Sequence, residues 1–284
     1  MAGAPAKTGR ITDWAGRASL PACARTVLIV LNKSIRRIAG NARDGIIRRI
    51  AAAAGYDACP RWAPGDWASA RRLRYLLDAL HVAQVLDIGA NRGGFRDHLR
   101  DTVGFSGRIL SFEPDPDLAA LCTSRAKVER DAAWTVSPFA LGAEPGRLTL
   151  NRMKQSVYNS FLLPQDTPEH PGNAVMERVE VEVRTLDGML PELGDLSRSF
   201  VKIDTQGFDL EVLKGGRRAF ARVPLVQTEI SFRGIYQGMP SYAASLAAFA
   251  EAGFEVADMF LVSGHDRQIA ATEFDCLLVR RDRS

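Results

Sequence analysis

From Arg71 onward the apolar positions alternate between two spacings. Leu73, Leu76, Leu77 and Leu80 share one face of a 3.6-residue period and predict a helix over 71–80, whereas 84–88 reads as a short strand. The same reading continues with a helix over 94–101, a strand over 108–112, a helix over 116–127 and a strand over 134–139. Strands over 147–151 and 178–183 then flank a polar stretch, 154–173, that has no periodicity and reads as a binding loop or lid. Short apolar strands at 200–203 and 225–230 enclose a helix over 210–220. A helix over 241–252 precedes a closing strand pair at 255–262 and 275–279. Strands alternating with helices predict an α/β fold, Rossmann-like and doubly wound around a mainly parallel sheet.

Upstream of this body the pattern changes. Leu31, Ile35, Ile38, Ala42, Ile46 and Ile50 lie at helical spacing, with Arg36, Arg37, Arg43, Arg48 and Arg49 largely off the stripe. Two readings stay open for this basic amphipathic segment: peripheral contact with a membrane or acidic partner, or a helix packed on the body with its charges in water. The stretch 56–67, with its two prolines and two tryptophans, reads as an ordered connector. The chain therefore divides into a basic extension and connector, 1–67, and a catalytic body, 68–284.

Charge sharpens that division. Residues 1–50 carry ten Lys/Arg against two Asp/Glu, net +8, leaving 27 against 31, net −4, for the rest of the 284 residues. The body is thus mildly acidic and has no basic stripe interleaved with aromatics, which argues against nucleic acid as a partner. Cys23, Cys59, Cys122 and Cys276 are scattered without metal-ligand spacing and read as reduced thiols of a cytoplasmic protein. The early apolar run at 27–31 is far shorter than the roughly 20 residues of a membrane span.

The chemistry concentrates at strand ends. In VLDIGANRGGF a strand passes into a helix through a glycine turn, the usual seat of a nucleotide cofactor. Gly89 allows the tight turn, and Gly93 with Gly94 allows a ligand to approach the helix start. The dinucleotide fingerprint fails, because Asn91 stands where its second glycine would. Asp87 would repel a pyrophosphate but attract the ammonium and sulfonium of S-adenosylmethionine. In ILSFEPD, Glu113 ends the next strand in position to accept both ribose hydroxyls, and Pro114 offers an apolar face to the adenine. Backbone groups near Ala140 would meet the adenine edge.

With LDIGANRGGF, ILSFEPD, the Ala140-Leu141-Gly142 turn, VEVRTLDGML, KIDTQGFDLEVLKGG and QTEISFRGIYQGMPSY in this order, the sequence resembles the FkbM family of class I methyltransferases over about 73–281. The resemblance implies a seven-stranded Rossmann-like sheet and methyl transfer from S-adenosyl-L-methionine, usually to a hydroxyl of a sugar, glycan, lipid or secondary metabolite. Gln206 stands before Gly207 where many members carry Glu.

A hydroxyl acceptor needs a base at the sheet edge. Asp204, ending its strand in FVKIDTQGFD, is the first candidate for the methionine end or the acceptor, with a turn-stabilising role as alternative. Glu229, in TEIS, is the second catalytic candidate, with a salt-bridged structural role beside it. Tyr236 is expected to line the acceptor pocket, and Asn159 and Ser160 to contact a polyhydroxylated substrate or else satisfy local backbone. His81 and His98 read as structural or exposed, and His170 and His265 as weak base candidates. Lys202 reads as structural and Asp187 as a helix start. An oxygen-ligand metal site of Asp204, Glu229 and a loop group is not assigned. Two other readings remain: a nicotinamide-dependent oxidoreductase and a non-catalytic cofactor-binding module.

Overall fold

The structure, a computed structural model, describes residues 64–165, 174–263 and 273–283. The basic stripe at 31–50, most of the connector, His170 and His265 lie outside the described residues.

Among the described residues, ten strands form two sheets. The larger contains β1 (Gln84–Ile88), β2 (Arg108–Phe112), β3 (Trp134–Ser137), β7 (Ser199–Ile203), β8 (Leu225–Ser231), β9 (Phe254–Ser263) and β10 (Glu273–Arg280). Their order is β3-β2-β1-β7-β8-β10-β9, parallel except for β10, which runs antiparallel between β8 and β9. The seven-stranded, mainly parallel sheet expected from the sequence is therefore present. The smaller sheet is built from β4 (Ala140–Leu141), β5 (Gly146–Met153) and β6 (Val175–Arg184), in the order β4-β6-β5.

Because parallel strands are covered on both faces, their apolar residues divide by parity. Leu86, Ile88, Phe112, Val201 and Ile203 enter one core. Val85, Ile109, Phe200 and Leu225 enter the other, where the helix Pro64–Ala79 lays down Leu73, Leu76 and Leu77. Full burial of each such leucine contributes about 1.5–3 kcal/mol. This second face also carries the polar residues of the strand ends, in register: Ser111 beside Asp87, Asp87 beside Lys202, and Lys202 beside Gln227.

Several elements depart from their expected bounds for identifiable reasons. Proline tolerates the first helical turn, so the first described helix starts at Pro64 and takes in the end of the expected connector. The helix expected over 94–101 is α-helical only at Gly94–Asp97 and continues as a π-turn, His98–Val103, ended by Gly104 at φ 81°. β3 stops at Ser137 because Pro138 has no N–H for the ladder, and the chain crosses into the smaller sheet at Ala140. The helix over 210–220 is two pieces, Asp209–Lys214 and Arg217–Phe220. A Cβ on Gly215 would collide with the Gly142 carbonyl, which is why this break carries glycine. Asp187 begins a 3-10 turn, and its carboxylate accepts the N–H groups of Arg218 (3.1 Å) and Ala219 (2.8 Å). The stretch after Lys154 contains a 3-10 turn, Ser156–Tyr158, and is pinned by bridges from Asn151 to Ser160 and from Pro164 to Tyr236.

Candidate active site

The second face of the sheet opens at the strand C-termini into a cavity of about 430 Å³. One end is the turn after β1. Gly89, at φ 84°, passes so close to β7 that a Cβ would collide with the Asp204 carbonyl oxygen. Asn91 follows at φ 49°, and its N–H donates to Glu113 Oε2 (2.6 Å), while the N–H of Asp115 donates to Oε1 (2.9 Å). Burial pushes the Glu113 carboxyl up to about 7, against the pull of those two N–H groups. Pro114, Ala140 and Gly94 also line the cavity. Gly93 does not: at φ 81° it turns toward Trp134 and Arg125.

Asp87 is fully buried behind the cavity wall. Its carboxylate accepts from Ser111 Oγ (2.9 Å) and lies 3.5 Å from the Lys202 ammonium. Ser111 is held in turn by the indole N–H of Trp134 (3.0 Å), whose ring is flanked by the guanidinium groups of Arg96 and Arg125. Lys202 donates to the Gly89 carbonyl (3.2 Å) and pairs with Asp204 Oδ2 (3.2 Å). Burial alone would lower its pKa, but Asp204 and Asp87 outweigh that and raise it. Lys202 thus pairs across the sheet as expected and also ties the turn after β1 to the end of β7.

The other end of the cavity is acidic. Asp204 lies one residue beyond β7, beside Glu229 of β8, and Glu229 stands directly across from Asp275 of β10. All three line the cavity. Burial holds the Glu229 carboxyl well above the usual carboxylate range, and Asp204, Glu273 and Asp275 push it further. Apolar groups, Leu73, Phe260 and Leu277 among them, complete this wall, and His98 also faces the cavity rather than being purely external.

The loop after β5 closes the cavity with side chains already engaged by the protein. Asn159 Oδ1 accepts from the Met153 N–H (2.8 Å) and its amide donates to Asp115 (3.3 Å). Ser160 donates to the Gln206 carbonyl (2.7 Å) and accepts from the Leu162 N–H (3.0 Å). Both line the cavity, but Tyr236 does not. Its ring is completely buried and its hydroxyl reaches Gln206 Oε1 at 2.7 Å, so it stands behind the wall it was expected to form. His81 is exposed in a turn. Among the described residues no group of three or more His, Cys, Asp or Glu side chains is arranged to hold a metal ion.

Asp275 went unrecognised in the sequence, and Gln206 stands out there only as a departure from the Glu of many family members, with no site role. Asp275 carries a signal, since it shares strand parity with Leu277 and with its neighbour Glu229, but only the insertion of β10 next to β8 brings it to the site. Gln206 reveals its contacts only in three dimensions.

Comparison with known proteins adds an independent line. Residues 87–256 match the family model described as the methyltransferase FkbM domain. A curated 2-O-methyltransferase, NoeI of Sinorhizobium fredii, is 25% identical over 163 residues, covering 54% of this chain and 65% of that protein. Among solved structures, a methyltransferase FkbM from Methylobacillus flagellatus aligns with TM-score 0.41 and 18% identity over 70% of this chain and 43% of that chain. Magnesium protoporphyrin IX methyltransferase from Synechocystis, solved with bound SAM, aligns with TM-score 0.41 and 13% identity over 90% of this chain and 100% of that chain. The chain thus spans less than two thirds of the length of the curated relative and less than half of the first of these structures.

Proposed function

Because the chain belongs to the FkbM methyltransferase family, we propose that it transfers a methyl group from S-adenosyl-L-methionine to a hydroxyl oxygen of a sugar, glycan, lipid or secondary metabolite. Family membership sets the nicotinamide-dependent reading aside. The observation that carries the proposal is the cavity itself, with a buried acid at a strand end for the nucleoside and a cluster of acids at the other end. The name of the 2-O-methyltransferase relative supports oxygen as the methylated atom.

The residues fit the cofactor. The cavity volume lies within the roughly 300–1,000 Å³ of small-molecule sites. Gly94 leaves open space where a Cβ would project, so a ligand meets backbone there. Glu113 retains acceptor capacity beyond its two N–H partners and suits a ribose diol. Bound there, S-adenosylmethionine supplies an electrophilic methyl on a positively charged sulfur. Asp204 presents a carboxylate toward that positive end, with Lys202 and Gln206 fixing its two oxygens. Ionised Glu229 takes the proton of the acceptor hydroxyl, a task suited to a carboxyl whose proton affinity is raised. The acceptor wall of Leu73, Phe260 and Leu277 restricts water around the reacting groups. Asp87 acts from behind, by holding Lys202.

The decisive experiment incubates the protein with isotopically labelled S-adenosylmethionine and hydroxylated sugars, lipids and metabolites, and reads methyl incorporation by mass spectrometry. Incorporation on oxygen is expected. Cofactor binding with no transfer to any of them would favour the non-catalytic module.

A pH dependence follows from Glu113. Its raised pKa contributes stability that is fully present below the ordinary value near 4.5 and lost as pH rises through about 7. The ribose hydroxyls select the ionised form, so affinity for S-adenosylhomocysteine should rise with pH, approaching about tenfold per unit on the acid side. The thermal shift produced by this ligand should therefore grow between about pH 6 and pH 8. Calorimetry showing an unchanged affinity over that range would remove Glu113 from ribose binding.

A further inference from the structure

The turn after β7 contains a hydrogen-bond chain whose direction is dictated by its ends. Asp204 accepts at Oδ1 from Gln206 Nε2 (2.9 Å), and Gln206 Oε1 lies 2.7 Å from the hydroxyl of Tyr236. Flipping the amide would set its oxygen against a carboxylate, so the nitrogen must face Asp204 and the oxygen must accept from Tyr236. The Tyr158 carbonyl, 3.0 Å from the same hydroxyl, can only accept as well, so the two oxygens share its single hydrogen, with Gln206 the nearer. Gln206 itself is held in the left-handed region, φ 53°, a conformation that non-glycine residues seldom adopt. Ser160 bonds its carbonyl, and Gly207 follows at φ 90°, where a Cβ would crowd Leu162 and Met239. A strained backbone held by groups from two other segments is the kind of feature that persists where orientation matters.

We propose that Gln206 is a positioning residue: with Tyr236 behind it, it fixes the Asp204 carboxylate at the cavity wall between the cofactor end and Glu229. The Lys202 ammonium holds the second oxygen, so rotation of this carboxylate would break one bond or the other. About a third of the Asp204 side chain stays exposed, which leaves its remaining lone pairs available to ligand. This role rests on the methyl-transfer reading for its effect on rate, but its hydrogen bonds do not.

The test uses two variants of the full chain and two kinds of readout. Gln206→Glu preserves shape but removes the donor and adds a charge beside Asp204. A proton on the new carboxyl restores a donor, so the variant should lose kcat by about 10- to 100-fold near pH 8 and recover toward wild type near pH 6, with S-adenosylhomocysteine affinity retained. Tyr236→Phe removes only the rear donor and should lower kcat by several-fold, about the worth of one neutral hydrogen bond, with KM unchanged. Independently of turnover, the side-chain amide NMR signal of Gln206 should move in both Asp204→Asn and Tyr236→Phe. An unmoved signal, a wild-type Gln206→Glu profile, or a loss that does not depend on pH would overturn the proposal. Absent wild-type turnover combined with a moved amide signal would count against the methyl-transfer reading and leave the positioning intact.

Discussion

Glu229→Gln should lower the rate of methyl transfer by about 100- to 10,000-fold while leaving affinity for S-adenosylhomocysteine unchanged. Glutamine keeps the shape of the side chain but cannot take a proton from the acceptor. Glu113, at the end of β2, lies three strands from β8 in the order β2-β1-β7-β8 and is untouched by the change. The variant also has a stability signature. The carboxyl of Glu229 is held above its ordinary range in the folded protein, so its contribution is present at acid pH and is lost as pH rises through the raised value. The amide that replaces it does not titrate and carries no such dependence. The variant should therefore melt higher than wild type at alkaline pH, with the gap closing toward acid pH. Activity lost and stability gained by the same substitution would mark a carboxyl kept for function. Wild-type turnover in this variant would return Glu229 to a structural role and leave Asp204 as the remaining base candidate.

Gly89→Ala should abolish measurable binding of S-adenosylhomocysteine and destabilise the protein by about 2–4 kcal/mol, from left-handed strain together with overpacking. The methyl group would occupy the place of the Asp204 carbonyl oxygen, so β1 and β7 would have to separate where Lys202 links them. Both the cofactor turn and Asp204 would then move. Gly94→Ala is the control. A Cβ at that position meets nothing within 4 Å, and stability should change by no more than about 0.5 kcal/mol. Thermal melts on the pair separate a specific collision from a general intolerance of alanine in this turn.

Most of the strands were legible because each is bounded by a change of period, and β1 and β2 fall at the bounds expected for them. Local pattern was less informative where a distant contact decides the outcome. The π-turn after Asp97 leaves no trace in hydrophobic spacing, because its buried residues, Leu99 and Val103, stand four apart as they would in an α-helix. The break at Gly215 depends on Gly142, a residue from another part of the chain. Acids at strand ends drew attention to Asp87, Glu113, Asp204 and Glu229, since charge in an apolar run is costly without a partner. Which of them face the cavity was not legible. Asp87, Lys202 and Asp204 share one face of the sheet; register sets Asp87 level with Lys202, beneath the wall, whereas Asp204 lies two residues further along and reaches the cavity. Tyr236, Asn159 and Ser160 illustrate the same limit, because their partners lie far away in sequence.

The insertion of β10 between β8 and β9 imposes an order in time. β9 leaves the ribosome first but, among the described residues, pairs with no strand other than β10, so it cannot join the sheet until residues 273–280 have been made. A nascent chain halted before Glu273 would already contain every strand of the cofactor end, yet β8 would present a bare edge, open to pairing with other chains. The part of the acceptor wall made by Phe260 and Leu277 is thus the last of the site to be built, and under the proposed function newly made protein should hold cofactor before it can hold an acceptor.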